Sequence, residues 1–125
     1  MTHRTILIVD DEQDVRSLVS MSLELGAGWT VLEEENGDEA VERAAAAQPD
    51  AILLDVNLGQ RDGPSVLADL RRDARTAAIP VVFLTGNVRP AETSALRALG
   101  AGVLPKPFDP MELPGLIMAE IGWRA

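Results

Sequence analysis

Apolar positions along the chain fall into two spacings that alternate. Short continuous runs, "TILIV" (5–9), "TVLEE" (30–34), "AILL" (51–54), "IPVVFL" (79–84) and "VL" (103–104), are mostly β-branched or aliphatic, and each gives way to acid or turn residues. They predict five strands. Between them apolar side chains recur at helical intervals: Val15, Leu18, Val19 and Leu25; Ala40, Val41, Ala44 and Ala45; Val66, Leu67 and Leu70; Ala91, Ala95, Leu96 and Leu99; Leu113, Leu116, Ile117 and Ile121. These predict five helices. Strict alternation, with strands apolar nearly throughout, implies an α/β fold in which one doubly wound, five-stranded parallel sheet is covered on both faces. No stretch reads as a linker, a repeat or a low-complexity tail, and "AAAA" at 44–47, closed by "QPD", reads as a tightly packed helix end.

One strand ends in a way its apolar character does not explain. In "AILLDVNLGQRDG" (51–63) four apolar residues meet a lone Asp55, whose ionised form is costly to desolvate unless water, a cation or a donor faces it. In an open parallel sheet, ligands gather beyond the carboxyl ends of the strands. The residues there are Asp10 and Asp11 after the first strand, Asp55 after the third, Thr85 after the fourth and Lys106 after the fifth. Two like charges about 4 Å apart repel by about 4 kcal/mol at an effective dielectric near 20, so three carboxylates on one rim call for a countercharge. Mg²⁺ suits hard oxygen ligands with open positions. Beside it Asp55 stays ionised and can attack a phosphoryl group, while the Lys106 ammonium and the Thr85 hydroxyl neutralise its equatorial oxygens.

Composition narrows the partners. Twenty acidic against eleven basic side chains give a formal charge of −9, which repels phosphate backbones and argues against nucleic acid. No cysteine is available for disulfides or thiolate chemistry. The start, "MTHRTILIVDDE", is too short in apolar length and too acidic for a signal peptide, and no run approaches the roughly 20 apolar residues that span a bilayer. A soluble, cytoplasmic protein of one domain is expected.

The motifs "ILIVDDE" (6–12), "LLDVNLGQRDG" (53–63), "VVFLTG" (81–86) and "LPKPF" (104–108) together resemble the receiver domain of two-component response regulators over essentially all 125 residues. The resemblance implies a flavodoxin-like (βα)5 fold of strand order 2-1-3-4-5. It implies that Asp55 accepts phosphate from a histidine kinase or histidine phosphotransfer protein, and that Asp10, Asp11, Asp55 and the backbone carbonyl of Asn57 hold Mg²⁺. Thr85 and Lys106 would bind the phosphoryl oxygens. With only Arg124 and Ala125 after Trp123, a stand-alone receiver over residues 1–125 is expected, without an output domain. It would be a monomer or a phosphorylation-dependent dimer that switches a downstream target protein or relays phosphate. Alternatives are a degenerate receiver serving as an interaction module, and an aspartate-nucleophile phosphatase of the haloacid-dehalogenase type. The latter is disfavoured because Asn57 stands where its second acid belongs.

Other features complete the reading. Asp10–Asp11 alone could cap the next helix, and Thr85 alone could open a Thr-Gly-Asn turn. Asn57 and Asn87 are placed to flank the path of attacking water. Gly59 replaces the family's usual proline, the segment "GAGVLPK" is one residue short, and Val103 replaces the aromatic whose ring follows the switch hydroxyl. His3 reads as a disordered terminal residue, and the "GAG" stretches at 26–28 and 100–102 as turns. Asp109 and Pro110 read as N-cap and first turn of the last helix, which Pro114 delays or kinks.

Overall fold

The computed structural model describes residues 2–124. Five strands, β1 (Thr5–Val9), β2 (Thr30–Glu34), β3 (Ala51–Asp55), β4 (Val81–Thr85) and β5 (Gly102–Pro105), alternate with five helices, α1 (Gln13–Ala27), α2 (Ala40–Ala47), α3 (Gly63–Arg72), α4 (Pro90–Arg97) and α5 (Leu113–Ile121). A short 3-10 turn, Gly37–Glu39, leads into α2. The strands form one parallel sheet in the order β2-β1-β3-β4-β5. This is the doubly wound, flavodoxin-like architecture that the alternating pattern implies.

The inner strands β1, β3 and β4 are apolar nearly throughout because successive side chains enter different cores. Leu7, Val9, Ile52, Leu54, Val81 and Phe83 pack with Ala40, Ala44, Val66, Leu70 and Leu96 of α2, α3 and α4. Their neighbours Ile6, Ile8, Leu53, Val82, Leu84 and Leu104 pack with Val19, Leu23, Leu113 and Ile117 of α1 and α5. Trp29 and Trp123 extend the second core edge to face, ring centroids 5.8 Å apart, with the Arg4 guanidinium 4.2 Å over Trp123.

The structure differs from the expected boundaries in places where local hydrogen bonding decides. The fourth strand starts at Val81, because the Ile79 N–H closes the preceding turn onto the Thr76 carbonyl (3.1 Å). α4 ends at Arg97 and Leu99 lies beyond it, since the chain tightens there through Leu99 N–H to Leu96 O (3.1 Å). Leu25 is 82% exposed, so the buried face of α1 runs through Val19 and Leu23 instead. His3 is tethered: its ring nitrogens lie 3.1 Å from the Gly28 carbonyl and 3.0 Å from the Thr30 hydroxyl. Asp109 caps a turn ahead of α5, accepting from Met111 N–H at 2.9 Å, and the helix begins only at Leu113 with Pro114 in its first turn. Pro105 lies on the edge strand, where a missing donor is tolerated.

Candidate functional site

Asp10 follows β1 and Asp55 closes β3. These strands are neighbours, and the register that aligns Val9 with Leu54 sets the two aspartates side by side at the carboxyl edge of the sheet. Asp10 is 0% exposed and Asp55 is 5% exposed. The turn after β1 pins Asp10 in place: its N–H donates to Glu34 O (3.0 Å) and its Oδ1 accepts from Glu12 N–H (2.9 Å). Arg16, itself buried, adds a guanidinium donor to the Asp10 carbonyl at 2.8 Å and an ion pair to Glu33 at 3.3 Å.

Lys106 arrives from the far edge of the sheet. Its N–H donates to Thr85 O (2.8 Å), which continues the β4–β5 pairing and aims the residue at the rim. The ammonium lies 2.9 Å from Asp10 Oδ2, 3.3 Å from Asp55 Oδ2 and 4.0 Å from Glu12 Oε1. Burial and the neighbouring Asp10 charge push the Asp55 carboxyl above the ordinary aspartate range, against the opposing pull of the Asn57 N–H and of Lys106. Burial pulls Lys106 down, but the hydrogen bond to Asp10 and the charges of Asp10 and Asp55 outweigh it and leave the ammonium held above its usual value.

Asp10, Asp11, Glu12 and Asp55 each place one carboxylate oxygen within 4.8 Å of the others, with Asp11 and Glu12 facing solvent. A single ammonium cannot balance four carboxylates. Close-set hard oxygens with one open side are the donor set of a divalent cation such as Mg²⁺, so these residues fit that ion.

The remaining expected site residues stand close by but are engaged locally. Asn57 donates its N–H to Asp55 Oδ1 (3.2 Å), while its side-chain oxygen accepts from Gly59 N–H (3.0 Å). The Thr85 hydroxyl sits at the same sheet edge, accepting from Asn87 N–H (3.0 Å) and donating to Asn87 O (3.2 Å), so the turn reading describes its present partners. Asn87 turns its oxygen to Arg89 N–H at 3.2 Å. Both asparagines therefore hold their own loops.

Three residues at the site were missed by sequence reasoning. Glu12 joins the carboxylates, and a third acid directly after Asp10–Asp11 was a signal for it. Arg16 was masked by its place on a helix beside Val15 and Val19. Gly63 opens α3 so close beneath Asp55 that an added Cβ would lie 2.5 Å from the Asp55 carbonyl oxygen and 2.9 Å from Phe83 Cε1.

The sequence profile of the family described as "Response regulator receiver domain" matches residues 6–118. The phosphate regulon transcriptional regulatory protein PhoB of Pseudomonas aeruginosa is 37% identical over 124 residues, 97% of this chain and 53% of that protein. The DNA-binding dual master transcriptional regulator RpaA of Synechocystis is 39% identical over 119 residues, 91% of this chain and 47% of that protein. The chain thus spans about half the length of the curated relatives it matches. Among solved structures, chemotaxis protein CheY4 of Vibrio cholerae superposes with a TM-score of 0.86 at 31% identity, covering 95% of this chain and 99% of that one. The receiver domain of sensor histidine kinase PA1611 of Pseudomonas aeruginosa, which carries a magnesium ion in its active site cleft, gives 0.82 at 28% identity, covering 97% and 99%.

Proposed function

The chain belongs to the response regulator receiver family, and from that premise we propose that it accepts a phosphoryl group on Asp55 from a phosphohistidine of a histidine kinase or histidine phosphotransfer protein. Receiver domains are signalling modules that typically bind Mg²⁺ at an acidic pocket, and the carboxylate cluster of this chain supports that reading. Asp10, Asp11, Asp55 and the Asn57 carbonyl would hold the ion, which neutralises phosphoryl oxygens when bound. An Asp55 oxygen forms the new phosphorus–oxygen bond as the phosphorus–nitrogen bond breaks, and the electron pair of the broken bond stays on the donor imidazole. Lys106 supports this step from beside the nucleophile, its ammonium stabilising charge on the transferred group. Thr85 would release Asn87 and donate to a phosphoryl oxygen.

The observation that carries the reading is the contact of one ammonium with two buried aspartates from separate strands, 2.9 Å from Asp10 and 3.3 Å from Asp55. Val103 sits buried in the β5 position and no tyrosine occurs in the chain, so movement of Thr85 would reach α4, β5 and α5 through backbone repacking without an aromatic ring. That surface would then engage a downstream target, or the phosphoryl group would pass along a relay.

Intact-mass measurement after incubation with acetyl phosphate tests the reading. Wild type gains one phosphoryl group with Mg²⁺ present, whereas chelator or Asp55→Asn abolishes the gain. A wild type that stays unmodified overturns it.

A further inference from the structure

The loop whose Asn57 carbonyl would face the cation runs from Val56 to Asp62, and two of its features oppose each other. Gly59 adopts φ +80°, so the middle of the loop has unusual backbone freedom, and holding it in one conformation costs correspondingly more entropy. Arg61 works against that freedom. Its guanidinium pairs with Asp38 Oδ1 in the 3-10 turn (3.0 Å) and with Asp69 Oδ2 on α3 (2.8 Å), and it donates twice to Ser65 Oγ (3.2 and 3.0 Å). The side chain is only 26% exposed.

The grip passes to the backbone. Leu58 N–H donates to Arg61 O (3.0 Å), Gln60 N–H donates to Leu58 O (3.0 Å), and Asn57 pairs with Asp62 across an antiparallel bridge. The guanidinium, the turn and Asn57 thus form one connected unit fastened to three side chains outside the loop, Asp38, Ser65 and Asp69. Among the described residues, none of the Arg61 ion pairs involves Asp10, Asp11, Glu12 or Asp55. Arg61 and Asp11 nevertheless line the same cleft, of about 400 Å³.

We propose that Arg61 is a positioning residue for the divalent-cation site: by clamping residues 57–62 to Asp38 and Asp69 it holds the Asn57 backbone ready for the cation. This rests on the reading of Asp10, Asp11, Asp55 and the Asn57 carbonyl as Mg²⁺ ligands. It also makes a prediction whose sign is opposite to that of simple charge. A guanidinium beside an acidic cleft repels a dication, so charge alone says that removing Arg61 tightens Mg²⁺ binding. Positioning says that removal weakens it.

The experiment is calorimetric titration of Mg²⁺ into the full chain, with amide exchange read over residues 57–62. Arg61→Gln should bind Mg²⁺ on the order of 10-fold more weakly, as for partners that orient metal ligands, and exchange should quicken in that segment alone. Asp69→Asn should weaken binding in the same direction, and the double variant should be no worse than Arg61→Gln, because both changes release one clamp. Arg61→Lys, with one ammonium in place of the fork, should fall between. Equal or tighter binding by Arg61→Gln overturns the proposal, as does a uniform loss of stability with affinity unchanged. A wild type that binds no Mg²⁺, or an Asp11→Asn variant that binds as well as wild type, overturns the underlying site reading instead, and the proposal with it.

Discussion

Lys106 Nζ lies 2.9 Å from Asp10 Oδ2, although the two residues are 96 positions apart in the chain. The contact joins the last strand of the sheet to the turn after the first, across the carboxyl edge where Asp55 ends β3. The Lys106 side chain is 18% exposed and that of Asp10 0%, so the pair forms in surroundings where an unpartnered charge is expensive.

Lys106→Met should therefore destabilise the metal-free protein by roughly 2 kcal/mol, less than for a fully enclosed pair because the Lys106 side chain is partly exposed. Mg²⁺ should restore more stability to this variant than to wild type, since the ion takes over the countercharge. Urea unfolding with and without Mg²⁺ measures both. Equal responses of the two proteins would show that Lys106 is not the partner of the cluster.

Asp55 titrates above the ordinary aspartate value of 3.8, chiefly through burial and then through the Asp10 charge. A carboxyl whose pKa is raised in the folded protein binds its proton more tightly folded than unfolded, so its ionised form opposes folding. Without metal, Asp55→Asn should be more stable than wild type at neutral pH. That advantage should shrink as pH falls through the raised pKa and vanish below the unfolded value. Mg²⁺ affinity of wild type should weaken on acidification before an ordinary aspartate would protonate. Paired denaturation curves across pH check the sign, and an advantage that grows on acidification would contradict it.

Gly63→Ala places a methyl group 2.5 Å from the Asp55 carbonyl oxygen and 2.9 Å from both Phe83 Cε1 and the Val56 Cα. Backbone atoms must give way, at a cost of about 2 kcal/mol. The shift displaces Asp55 itself, so Mg²⁺ affinity should drop along with the unfolding midpoint. Comparison with Gly115→Ala, where nothing lies within 4 Å of the added carbon, separates this local clash from the gain in helix propensity that replacing glycine by alanine brings.

The fold was legible because a parallel sheet buried on both faces leaves continuous apolar runs such as "AILL", and helices between them leave gaps of three and four. The site was legible for a related reason: in such a sheet the residues directly after the strands must share one rim, which brings Asp10, Asp55 and Lys106 together without further information. What stayed hidden depends on side-chain direction. Period alone did not tell that Leu25 points to solvent or that Arg61 reaches both Asp38 and Asp69. His3 was unreadable because its partners, Gly28 and Thr30, lie on the next loop and strand rather than in its own segment.

The most direct measurement locates the phosphoryl group. After acetyl phosphate and Mg²⁺, borohydride reduces an aspartyl phosphate to homoserine, and peptide sequencing by mass spectrometry reads which position changed. The account predicts conversion at residue 55 alone, lost when Mg²⁺ is chelated. Conversion at another aspartate, or at none, would contradict it.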